Sequence, residues 1–201
     1  MSNIKMNLNP ITEAATLFPW DNKAAYAEFL AQTFYYVRHS TRLLALSAGM
    51  IPLGDRRSFD RYIKHISEER NHELLARRDL EALGFNLDEM LEMSSTRLLW
   101  EPQYYKVIHK SPMALLGYIL PLEALAANEG GSVVQSLEAI YGSKCLNFLR
   151  LHGEEDIKHV KDAIALIESL DNENRMLVNE NIEQTIMAYA QWLQSIAAKH
   201  S

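Results

Sequence analysis

The stretch "LRLHGEEDIKHV", residues 149–160, decides how this chain is read. It lies inside a well-made helical pattern, yet His152, Asp156 and His159 follow one another at intervals of four and three. Projected at about 100° per residue, a helix from Ser143 to Leu170 gathers Cys145, Phe148, Leu149, Ala163, Leu166, Ile167 and Leu170 on one face. The three polar residues fall in the middle of that face. Glu154 and Lys158 project outward, and Glu155 lies at the edge.

The same spacing occurs earlier. In "SFDRYIKHISEERNHELLARRDLEALG" the apolar stripe Tyr62, Ile66, Ala76, Leu80 and Leu83 carries His65, Glu69 and His72. Glu68 points about 100° away from Glu69, which makes Glu69 the inward carboxylate. Farther on, Glu123 is the only charged residue from Ser111 through Asn128, within "YILPLEALAA". A carboxylate there is costly to bury ionised and unpaired. Pro121 cannot bond to the carbonyl of Gly117, so a kink is expected to help aim Glu123.

Around these residues the chain reads as all-helical, with no strand alternation and no hairpin signal. Asp21 is the expected cap of a first helix running to Gly49, and Ser58 of a second ending at Gly84. Short pieces are expected between Asn86 and Lys110. Ser111 with Pro112 opens a third long helix that closes at Gly130 and Gly131, followed by a short helix "SVVQSLEAIYG". Ser143 then caps the helix of the opening stretch, and Asp171 or Asn172 precedes a final one. We expect residues 1–20 to be an N-terminal extension and residues 21–201 a single domain.

Composition agrees. The chain has 201 residues, 48% of them hydrophobic, which suits one domain with an ordinary core. Twenty Lys and Arg against 26 Asp and Glu, without a basic block, argue against nucleic acid. No stretch reads as a membrane span, and the N-terminus lacks the basic start and apolar run of a secretion signal. The single cysteine, Cys145, excludes a disulfide framework. A cytoplasmic location is the expectation. For oligomeric state, a homodimer is the default for a helical enzyme of this size.

One inward histidine is ordinarily a hydrogen-bonded core residue. Glu69, His72, Glu123, His152, Asp156 and His159 converging from three helices are different, because burying so many ionisable groups calls for a counter-charge that a metal supplies. Imidazole and carboxylate without thiolate suit iron, with manganese as the alternative. The ligand number is enough for two ions. Glu69-x-x-His72 follows the Glu-x-x-His rule of di-metal helical bundles, and Asp156-x-x-His159 is its aspartate variant. On the first helix Glu28, Gln32, Tyr35, Tyr36 and His39 share a broad face. His39 or Glu28 could add a ligand, and a tyrosine there would be exposed to one-electron chemistry.

"FYYVRHS", "HISEERNHELLARRDLEALG", the lone Glu123 and "HGEEDIKH" together resemble the haem-oxygenase-like di-iron oxidases and oxygenases over about residues 20–195. The resemblance implies a haem-oxygenase-like helical bundle in which His72, Glu123, His152, Asp156 and His159 bind one or two non-haem irons, with Glu69 matching a carboxylate found in some members. It also implies reduction of O2 coupled to oxidation of a small or medium organic substrate. His65 departs from the pattern, since other members carry a glutamate there, and it leaves the second metal open. Tyr36 and His65 are the candidate catalytic residues beside the ligands. The same superfamily contains TenA-type aminopyrimidine hydrolases, for which Cys145 would be the only candidate nucleophile. A non-catalytic interaction protein with a degenerate site is the third reading.

Overall fold

The computed structural model describes residues 4–201, and all side chains there except those of Glu154, Glu155 and Ile157. The expected orientations of Glu154 and Glu155 therefore lie outside the described residues. The described residues form nine α-helices and three short 3-10 turns.

α1 (Asn9–Thr16) opens with Pro10 in its first turn and seats the fully buried Ile11 against the last helix. α2 (Lys23–Val37) is capped by Asn22, whose side chain accepts from the amides of Ala24 and Ala25, where Asp21 was expected. The first long helix is also not continuous. It breaks at Arg38 and His39 before α3 (Ser40–Met50), although no glycine or proline marks the place. Arg38 pairs with Glu92, and His39 stacks on Trp100 at 3.8 Å, so contacts distant in sequence set this turn.

α4 (Arg56–Glu69) is capped by Asp55, which accepts from the Ser58 amide; Ser58 is not itself the cap. The second helix breaks too, inside the ligand motif. Arg70 is extended and Asn71 adopts φ 71°, a left-handed conformation asparagine tolerates, before α5 (His72–Ala82) begins. Gly84 ends that unit with φ 87°. A 3-10 turn (Leu87–Glu89) and the 16-residue α6 (Ser94–His109) follow.

Ser111 accepts from the Met113 amide and opens a 3-10 turn (Pro112–Leu115) that leads into α7 (Leu116–Tyr141). The expected stop at Gly130 and Gly131 is absent, and the short helix expected after it is the end of α7. Gly130 serves close packing instead: a Cβ there would stand 3.2 Å from Gly153 Cα on the neighbouring helix. A 3-10 turn (Ser143–Cys145) precedes α8 (Asn147–Ser169). The N-cap position of α8 is held by Leu146, which makes no side-chain cap bond, where Ser143 was expected. The cap comes from α5, where the fully buried Asp79 accepts from the Phe148 amide at 2.8 Å and from the Asn147 side chain at 2.7 Å. Asp171 caps α9 (Asn172–Lys199), as expected.

α7 runs along α8 and α9, while α2 packs on α5 and α3 on α4. α9 brings Trp192, Ile196 and Ile182 to the core, and the Trp192 indole donates to Thr96. No helix among the described residues is long and apolar enough to cross a membrane.

Candidate metal centre

Each ligand candidate is aimed by a different local device. His65 and Glu69 lie one turn apart on the buried side of α4. His72 is the first residue of α5, turned back by the Asn71 break, so that its Nδ1 stands 3.6 Å from Glu69 Oε2. Glu123 projects from the middle of α7, just after Pro121. His152, Asp156 and His159 lie on α8, whose start is fixed by Asp79.

These side chains meet. His65 Nε2 lies 3.3 Å from Glu69 Oε1 and 3.2 Å from Glu123 Oε1. His159 Nδ1 lies 3.5 Å from Glu123 Oε1 and 3.2 Å from Asp156 Oδ1. Two overlapping groups result: His65, Glu69, Glu123 and His159 in one, and Glu69, His72 and His152 in the other, with the ligand atoms of each within 4.8 Å of one another. Glu69 belongs to both, one oxygen facing each. Asp156, 2% exposed, joins through His159.

The donor set fits a metal. Both oxygens of Glu123 and Nε2 of His65 are buried and make no aligned hydrogen bond, although they face one another. Such clustering of lone pairs is what a cation organises, because ligand atoms about 2.1 Å from one ion stand about 3 to 3.5 Å apart. The His152 ring donates from Nδ1 to the Phe148 carbonyl at 2.9 Å, which leaves Nε2 as the coordinating nitrogen.

Without an ion the charges compensate one another only partly. Burial pushes the His65 imidazolium down, but Glu123 and Glu69 outweigh it and hold its pKa up at about 9. For Glu69 burial acts upward, and His65 and His72 together bring it well below the usual carboxylate range. Glu123 and Asp156 are both raised by burial. His159 is raised chiefly by its contact with Asp156.

Not every candidate from the first helix arrives. Tyr36 lines a cavity beside the cluster, and burial pushes its pKa up to about 12. Tyr35 instead donates to the Met90 carbonyl. His39 faces the Tyr104 hydroxyl at 3.0 Å, and Glu28 is paired with Lys199 and bonded to Gln32. Neither belongs to the ligand cluster. Cys145 is buried with its thiol toward the carbonyls of Tyr141 and Gly142, and burial raises its pKa. It does not line the cavity, and its raised pKa works against forming the thiolate that a nucleophile needs.

Two residues escaped the sequence reading. Asp79 positions α8 from outside it, and only the packing of α5 on α8 reveals that. Glu68, projected away from the site, reaches the far side of the His159 ring, with Oε2 3.4 Å from Nε2, and is held by Lys64 at 3.3 Å. Single-helix projection places it correctly relative to Glu69. It misses that side chains of α8 reach α4 on that side, Asp162 to Lys64 as well as His159 to Glu68.

The cavity has a volume of about 140 Å³ and lies between the cluster and the apolar sides of α2, α3, α7 and α8. The sequence model of a family described as "Iron-containing redox enzyme" matches residues 27–192. Among solved structures, a domain of unknown function with a heme oxygenase-like fold from Shewanella denitrificans OS217 superposes with a TM-score of 0.82 at 21% identity, covering 94% of this chain and 87% of that one. A TenA homolog from Pseudomonas syringae pv. tomato DC3000 gives 0.76 at 11% identity, over 94% and 90%. A CADD-like protein of unknown function from Nostoc punctiforme PCC 73102 gives 0.71 at 18%, over 96% and 88%. No curated protein matches.

Proposed function

This chain belongs to the iron-containing redox enzyme family and has a haem-oxygenase-like fold, and from that premise we propose that it is a non-haem, two-iron enzyme that uses O2 to oxidise an organic substrate. The observation that carries the reading is the position of Glu69, one carboxylate facing two imidazole-bearing groups in a buried spot beside a cavity. In this reading His72 and His152 hold one ion with Glu69. His65, Glu123, His159 and Asp156 hold the other, which makes His65 a ligand as well as a site residue.

Iron bound there supplies the electrons and open positions that O2 reduction needs. The protein supplies the rest. The Phe148 carbonyl fixes the ring of His152, and the Glu68 carboxylate stands 3.4 Å behind that of His159. Leu44, Tyr118 and Ile119 in the cavity wall exclude water. The Tyr36 hydroxyl, kept protonated by burial, provides a proton donor at Oη.

The test is elemental analysis after anaerobic loading with Fe(II), followed by O2 uptake on exposure to air. Near two irons per chain and rapid uptake are expected. One iron or none, or two irons with no O2 consumed in the presence of a reductant, would sink the proposal.

A further inference from the structure

The cavity beside the cluster is apolar to a degree that selects among substrates. Phe29, Leu44, Ile119, Leu122, Phe148 and Tyr118 form much of its wall. No Lys or Arg lines it among the described residues, and outside the ligand cluster its one charged group is the partly exposed carboxylate of Glu129. Away from the cluster an anionic group would meet no counter-charge and would lose its hydration. Its volume of about 140 Å³ compares with about 150 Å³ for an engineered apolar cavity that takes up benzene.

We propose that the cavity holds the uncharged hydrocarbon body of the substrate, about the size of one six-membered ring, with a single polar head turned toward the carboxylate and imidazole cluster. The inference rests on the reading of that cluster as the reaction centre. It excludes compounds that carry a second charged group away from the head, and long unbranched chains. His65, Glu69 and Glu123 make one part of the lining chemically demanding, while the rest is mostly apolar side chains that select by shape.

Two arms test it on the full chain. In metal-stripped protein, saturating toluene should raise Tm by about 3 °C. The effect should disappear in Ala126→Phe, which fills the cavity from a partly exposed position, and weaken in Ala126→Leu. In Mn(II)-loaded protein, benzoate should bind at least about tenfold more tightly than terephthalate, the same ring with a second carboxylate. No toluene shift in folded wild-type protein overturns the inference. So does terephthalate binding equal to benzoate, or decanoate binding tighter than benzoate. Toluene protection in a chain that takes up no iron would uphold the cavity while overturning the functional reading, so the two failures are distinguishable.

Discussion

His65 Nε2 stands 3.2 Å from Glu123 Oε1, joining α4 to α7 at the centre of the bundle. Both side chains are almost wholly buried, at 3% and 6% exposure. Breaking a buried pair by removing one partner leaves the other charge uncompensated. His65→Ala should therefore cost metal-free protein about 3 kcal/mol, a fall in Tm on the order of 10 °C. Thermal unfolding in the presence of a chelator measures this.

The same pair makes stability depend on pH. The folded pKa of His65 is about 9 against 6.5 in an unfolded chain. A cationic group raised in this way stabilises fully below the lower value, and its contribution is lost as pH rises through the higher one. Metal-stripped protein should lose Tm between about pH 6.5 and 9, and His65→Gln should flatten the slope. Iron-loaded protein should show the opposite trend over that interval, because ligation requires neutral imidazole and protons compete with the metal.

Ligand substitutions should separate the cluster from ordinary surface charge. Asp156→Ala and Glu123→Ala should each lower bound iron by tenfold or more in affinity, on the order of 1.4 kcal/mol. Glu81→Ala removes an exposed carboxylate paired with Arg77 and should leave iron content unchanged. Equal loss in all three would contradict the assignment.

His39 offers a pH effect outside the site. Burial first, then Arg38 and Arg42, lower its pKa from 6.5 to about 4. The unfolded chain binds the proton more readily, so stability should fall as pH drops from about 6.5 toward 4. His39→Asn should reduce that acid slope, read from unfolding midpoints at successive pH values.

The glycines of α7 give a structural contrast. A Cβ on Gly117 would meet the Val178 carbonyl oxygen at 2.2 Å and Ile182 N at 2.9 Å, both backbone atoms of α9. Gly117→Ala should cost about 3 kcal/mol or more, by forcing the two helices apart. At Gly131 nothing lies within 4 Å. Gly131→Ala should instead stabilise by about 0.5–1 kcal/mol through helix propensity. Chemical denaturation of the two variants checks both signs.

By itself the sequence determined the helical class and most of the inward-facing ligand candidates. Both follow from local rules: apolar periodicity reports which face is buried, and a charged or imidazole side chain in the middle of that face is legible as an anomaly. Thus Glu69, His72, Glu123, His152 and His159 could be picked out before any packing was seen. Gly84 was legible as a helix end, but the breaks inside the first two helices and the packing role of Gly130 followed only from tertiary structure. Arg38 and His39 carry no breaking signal, and their turn is held by Glu92 and Trp100. Gly130 has the composition of a stop, yet the chain continues because Gly153 packs against it. Asp79 capping α8 and Glu68 reaching His159 join residues 69 and 91 positions apart, and no periodicity connects such distances. What tertiary structure decided above all was that Glu69 faces two groups at once. That depends on the Asn71 break and on the approach of α7 and α8, where backbone geometry and close packing set the positions that hydrophobic pattern alone leaves free.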